Sequence, residues 1–124
     1  MSPVFLVAIG GALGSVGRYL VGAAMLRRFG SNFPWGTLTV NVTGCFAIGA
    51  VAALLTRMGG HDTLRLFIIT GILGGFTTFS AFSLETVTLI EAGRLMAACA
   101  YVAASLAISG LAVLAGLALL RAMG

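Results

Sequence analysis

Four apolar stretches fill almost the whole of this chain, and each exceeds the ~20 residues that cross a bilayer core as a helix. They run from about Val4 to Leu26, Trp35 to Thr56, Leu64 to Ile90 and Leu95 to Leu120, with short connections that carry arginine. In hydrocarbon, every backbone N–H and C=O must be satisfied inside the protein, so only helices and closed barrels span a membrane. Stretches this long and continuous are helices. The expected fold class is therefore an all-α membrane protein, one domain over residues 1–124 with four transmembrane helices. The short loops make sequential neighbours antiparallel.

Composition closes the alternatives. The chain is 60% hydrophobic and 8% charged, whereas soluble domains carry about 25% charge. A chain of 124 residues has too small an interior to hide that much apolar surface from water. All the basic residues are arginine, scattered between the apolar stretches. They read as headgroup anchors and not as a nucleic-acid patch. The N-terminal Met-Ser-Pro-Val-Phe-Leu lacks the basic region of a signal peptide, so the first stretch is expected to stay as a span. Cys45 and Cys99 lie in apolar stretches without CxxC spacing or a nearby histidine, and are expected to serve as small buried apolar residues. No carboxylate pair, Ser/His/Asp set or metal-ligand cluster is present, so the chain is not expected to be an enzyme. His61, beside Asp62, reads as a solvated loop residue.

Local signals set the ends of the spans. Asp62 is the expected N-cap of the third span and Gly93 its stop. Phe33-Pro34-Trp35 marks a turn and an interfacial anchor. At 1.5 Å per residue, a continuous helix from Leu64 to Ile90 would reach roughly 40 Å, against a core of about 30 Å. A tilt would absorb the excess, and so would a break at Gly74-Gly75. The glycines and hydroxyls of Gly71-Ile-Leu-Gly-Gly-Phe-Thr-Thr-Phe-Ser-Ala-Phe-Ser83 favour the break, which hydrocarbon tolerates only inside protein or along a cavity. Gly10 with Gly14 and Gly71 with Gly75 form GxxxG pairs that bring helices close. The alanines of 97–104 suggest the same for the fourth span.

Orientation follows from the positive-inside rule. Arg57, Arg65 and Arg121 fall on one side, Arg27, Arg28 and Arg94 on the other. The two sides balance, so a chain that inserts both ways can pair with an oppositely inserted copy. An antiparallel, dual-topology homodimer is the expected assembly.

The spans also hold polar side chains. Thr37 and Asn41 are i,i+4 and share a face, and Asn41 carries two N–H donors. Tyr101, Ser105 and Ser109 form a single stripe on the fourth span. Single hydroxyls usually bond the preceding turn; a stripe of three beside an intramembrane asparagine reads as a polar track. Arg18 and Glu85 are the charges deepest in the spans, where charge is costly and functional. Arg18 either lines a positive vestibule or snorkels to the interface. Glu85 is either a solvated end-of-pore residue or the partner of Arg18. Phe79 and Phe82, i,i+3 on the third span, either pack in the core or turn their partly positive ring edges toward an anion. Donors, ring edges and an arginine suit a small desolvated anion far better than a cation.

Trp35-Gly-Thr-Leu-Thr-Val-Asn41, Gly74-Gly-Phe-Thr-Thr-Phe-Ser-Ala-Phe82 and Tyr101…Ser105…Ser109 resemble the Fluc/CrcB fluoride channel family over essentially the whole chain. The resemblance implies a passive channel that exports fluoride from a prokaryotic cytoplasm across the plasma membrane (the inner membrane of a Gram-negative cell). It implies an antiparallel homodimer with two pores. Asn41, Phe79, Phe82, Tyr101, Ser105, Ser109 and Thr37 would line the pore, with Arg18 in the vestibule. It further implies a structural sodium ion at the dimer interface, held in the break of the third helix by backbone carbonyls of Gly74 and Thr77 from both subunits. Phe76 stands where a smaller aliphatic is commoner in the family, and Ala81 where threonine or serine is. The competing reading is a small multidrug-type proton-coupled exporter, which needs a carboxylate in its first span; this first span has only Arg18. A non-transporting assembly factor would not require the hydroxyl stripe.

Overall fold

A computed structural model describes residues 2–124. Among the described residues, four helical segments are long and apolar enough to cross a membrane: Pro3–Phe29, Trp35–Arg57, Asp62–Glu91 and Leu95–Ala122. Helix α1 (Pro3–Phe29) starts at Ser2, whose hydroxyl accepts from the Val4 amide at 3.3 Å. Pro3 takes the first helical position, where its missing N–H is not needed. The helix stops at Gly30, which adopts φ 76° and so ends it as only glycine does readily. Helix α2 (Trp35–Arg57) follows Pro34 and ends before Gly59 and Gly60, both at positive φ.

The third span is the irregular one. A single turn, α3 (Asp62–Arg65), leads into a π-helical stretch, Leu66–Leu73, and a last turn, α4 (Gly74–Phe76). Thr77 and Thr78 are extended, and α5 (Phe79–Glu91) follows. Gly93, at φ 77°, turns the chain into α6 (Leu95–Ala122). His61 occupies the cap position of this span and Asp62 is already helical. Asp62 thus complements the helix dipole from the first turn instead of capping it.

The loops pair at opposite ends of the bundle. Arg57 donates to the Leu120 carbonyl at 3.0 Å, and the Arg94 guanidinium donates to the Asn32 carbonyl. One end therefore holds the second loop and the C-terminus; the other holds the first and third loops.

Glycines set how the helices meet. A Cβ on Gly10 would lie 2.6 Å from the Phe67 carbonyl oxygen, and one on Gly75 2.6 Å from that of Gly11. A Cβ on Gly14 would strike the Ile72 carbonyl. The two GxxxG pairs read from the sequence thus pack against each other and clamp α1 to the first half of the third span. Helices α2 and α6 meet in the same way, with Gly49 against Val113 and Leu117, and Gly116 against Phe46 and Ala50. Lipid offers no hydrophobic drive for helix association, so such close approach is what holds spans together. Helix α5 packs on α6 and touches α2, and Leu38, Phe82, Leu89, Ala98 and Tyr101 form the buried cluster there. Cys99 is exposed on α6 and Cys45 is half-buried, so neither is a buried core residue.

Candidate functional site

The site is built on the backbone of the third span. The last regular helical bond before the extended pair runs from the Thr77 amide to the Leu73 carbonyl, 3.0 Å, and the Thr77 hydroxyl donates to the same oxygen at 2.9 Å. Thr77 then sits at φ −84°, ψ 157°, and Thr78 at φ −151°, ψ 123°. The Thr78 hydroxyl accepts from the Ala81 amide at 3.2 Å and caps α5. Gly74 and Gly75 remain helical; the extended residues are the two threonines, three positions beyond the glycine pair.

Two side chains from other helices satisfy part of the freed backbone. Arg18 donates from Nε to the Gly75 carbonyl at 3.2 Å. Asn41 bonds Thr78 twice: its Oδ1 accepts from the Thr78 amide at 2.8 Å and its Nδ2 donates to the Thr78 carbonyl at 3.0 Å. Among the described residues, the carbonyls of Gly74, Phe76 and Thr77 receive no hydrogen bond. Gly74 faces outward from the chain.

Beside the extended pair lies a cleft of about 230 Å³ lined by Asn41, Thr77, Thr78, Phe79, Phe82, Ser105 and Ser109, with Cys45 and Leu106. Phe79 is 74% exposed and Phe82 8% exposed, with their ring centroids 5.5 Å apart. Ser105 is 6% exposed, and its hydroxyl has no partner among the described residues. Buried hydroxyls rarely go unpaired, so this one is available to something in the cleft. Tyr101 lies behind the cleft, fully buried, its ring 5.2 Å from that of Phe82. Its hydroxyl donates to Glu85 at 3.0 Å.

The structure therefore brings six of the residues singled out in the sequence into one cleft and leaves the others, Tyr101 behind it among them, outside. Asn41, Phe79, Phe82, Ser105, Ser109 and Thr77 share the cleft. Thr37 lies with Arg18 along a second cleft of about 390 Å³, which also reaches Thr78 and Ala81. Glu85 is the partner of Tyr101 and not of Arg18, whose Nε is taken by Gly75. Thr37 also borders the cleft that contains Glu85. Sequence reasoning passed over Thr78 as a site residue. Its signal was a threonine directly before a helical run, the ordinary mark of an N-cap.

The model of the CrcB-like proteins, described as Camphor Resistance (CrcB), matches residues 5–117. The chain belongs to the CrcB family. It is 58% identical over 124 residues to the "Fluoride-specific ion channel FluC" of Rhizobium meliloti (strain 1021), covering 99% of each chain. Proteins of the same name from Rhizobium etli (strain CIAT 652) and Rhodospirillum centenum (strain ATCC 51521 / SW) are 56% and 49% identical, with 97% or more of each chain covered. The CrcB model spans the α1 arginine, the Asn41 amide, the extended threonines and the hydroxyls of α6.

Proposed function

We propose that this chain is a subunit of a passive fluoride-selective channel, a multi-pass protein of a prokaryotic plasma membrane that lets fluoride leave the cytoplasm. The observation that carries the reading is the buried, unpartnered Ser105 hydroxyl in the same cleft as Asn41 and the phenylalanine pair. Relatives over the full length bear the name of fluoride channels, which supports it. Fluoride is small and strongly hydrated, so a pore must replace its water with donors and positive edges. Ser105 and Ser109 offer hydroxyls, the second Nδ2–H of Asn41 a further donor, and Phe79 and Phe82 their ring edges. Tyr101 holds Phe82 from behind, and Arg18 with Thr37 makes the wider cleft a positive approach. No covalent step is involved and no energy source is needed. Fluoride enters a cell as the neutral acid and is trapped as the anion, and a negative-inside potential drives it out by about 2.3 kcal/mol per charge per 100 mV.

The working unit is an antiparallel homodimer with two pores. The balanced arginines support it, as does the exposure of Phe79 and Gly74. Reporters fused to the C-terminus are expected on both sides of the membrane; a one-sided result would exclude dual topology.

The break of the third span, at Thr77 and Thr78, supplies the dimer with a sodium site. The Gly74 and Thr77 carbonyls, two from each subunit, suit a hard cation, which prefers oxygen ligands. A sodium ion there would compensate carbonyls that are otherwise costly to leave bare in a membrane. It would be structural and would not permeate.

The deciding experiment is ion efflux from liposomes loaded with fluoride or with chloride. Fluoride is expected to leave quickly and chloride to stay. Equal rates for the two anions, or no flux of either from well-folded protein, would refute the proposal.

A further inference from the structure

An intramembrane asparagine invites a single role as a donor to the permeating ion, but its bonds point to another. We propose that Asn41 is the positioning residue of the third span, holding residue 78 extended by standing in for a neighbouring β-strand. In an extended residue the N–H and C=O of the same residue point to the same side, which is how a strand pairs with its neighbour. Thr78 has that backbone, and no strand lies beside it among the described residues. The Asn41 carboxamide meets both groups at once, accepting at 2.8 Å and donating at 3.0 Å.

The first of these bonds competes directly with the helix. The Thr77 amide still donates to Leu73. The next helical bond in sequence would run from the Thr78 amide to the Gly74 carbonyl. Asn41 Oδ1 takes that amide, and the Gly74 carbonyl is left without a donor. Arg18 acts one residue further on. Its Nε occupies the Gly75 carbonyl, which in a continuous helix would accept from Phe79. The two side chains, from α1 and α2, thus hold the carbonyls of residues 75 and 78, while those of 74, 76 and 77 receive no hydrogen bond among the described residues. Without the carboxamide, the best partner in reach for the Thr78 amide is the Gly74 carbonyl, and the helix closes over the extended pair.

Asparagine suits this task better than its near relatives. Aspartate keeps an acceptor for the amide but sets a second oxygen against the Thr78 carbonyl. Alanine loses both bonds. The link between the freed carbonyls and sodium rests on the function proposed above; the clamp itself does not.

The test uses full-length protein labelled with ¹³C at threonine, reading the Thr77 and Thr78 Cα and Cβ signals by NMR in the dimer. The parent protein is expected to show extended values for both residues. In Asn41→Ala the Thr78 signals should move toward helical values, and in Asn41→Asp they should stay extended. Fluoride efflux is read in parallel and is expected to fall at least tenfold in both variants, because the pore donor is lost in each. The aspartate variant thereby separates the positioning role from the donor role. If Asn41→Ala yields no dimer, Asn41→Ser, which also lacks the two-point clamp, is read in its place. Extended Thr78 signals in the alanine or serine variant would overturn the proposal. A parent protein that passes no fluoride would overturn the function proposed above, while the threonine signals would still decide the clamp.

Discussion

Replacing Gly14 by alanine adds one methyl group to the crossing of α1 and the third span. That methyl would strike the Ile72 carbonyl and come within 2.8 Å of the Phe76 amide nitrogen. Both neighbours are backbone, so no rotamer change relieves the contact and the helices must separate. Overpacking of this kind costs about 1–3 kcal/mol, while alanine recovers up to ~1 kcal/mol of helix propensity over glycine. Gly22→Ala is the matched control: it lies in the same helix, and its methyl would meet nothing within 4 Å. The difference between the two variants cancels propensity and isolates the packing cost, about 1–3 kcal/mol. Thermal unfolding of the purified protein, followed by the fluorescence of its single tryptophan, Trp35, measures both. A second effect is expected in fluoride efflux. The Arg18 bond to Gly75 is 3.2 Å long, at the upper end of normal hydrogen-bond length. An outward shift of the third span of about half an ångström would break it, so Gly14→Ala should conduct poorly even where it folds. Equal stability of Gly14→Ala and Gly22→Ala would refute the close-packing argument.

Ser105→Ala is expected to remove a buried, unsatisfied hydroxyl, raising stability by about 1 kcal/mol while lowering fluoride flux; a loss of stability would mean that the hydroxyl has a partner in the folded protein. Exchanging sodium for a bulky organic cation is expected to lower both the thermal stability of the dimer and its flux. Unchanged behaviour after proven sodium depletion would count against the proposed cation site.

The spans were legible because a membrane leaves little freedom. Hydropathy places their ends within a few residues of the helices seen, and Gly93 stops the third as its φ requires. The GxxxG spacing located the α1 crossing because only glycine permits that approach. The site was partly legible. Asn41, Phe79, Phe82, Ser105 and Ser109 stand out by being polar or aromatic at helical spacing in apolar segments. What the sequence hid is nonlocal. Glycine density pointed to Gly74-Gly75, but helical backbone continues there, because glycine is tolerated in a helix whose neighbour needs it small. The extended residues lie at Thr77 and Thr78, where Asn41, 37 residues distant, competes for the amide. The π-helical turns of Leu66–Leu73 carry no local mark either. Glu85 reads from the sequence either as a solvated end-of-pore residue or as the partner of Arg18, and neither reading finds the Tyr101 hydroxyl that bonds it.

The bonds from other helices at the extended pair come from chain synthesised earlier: Arg18 in α1 and Asn41 in α2. A segment leaving the insertion machinery alone in lipid has neither. Its unpaired amides and carbonyls would then be costly, so the lowest-energy form of residues 62–91 on entry is an unbroken helix. The extended threonines would then form on docking and not on insertion. A variant that inserts normally but docks slowly would accumulate with its third span intact as a helix, correctly threaded through the membrane and without a cleft.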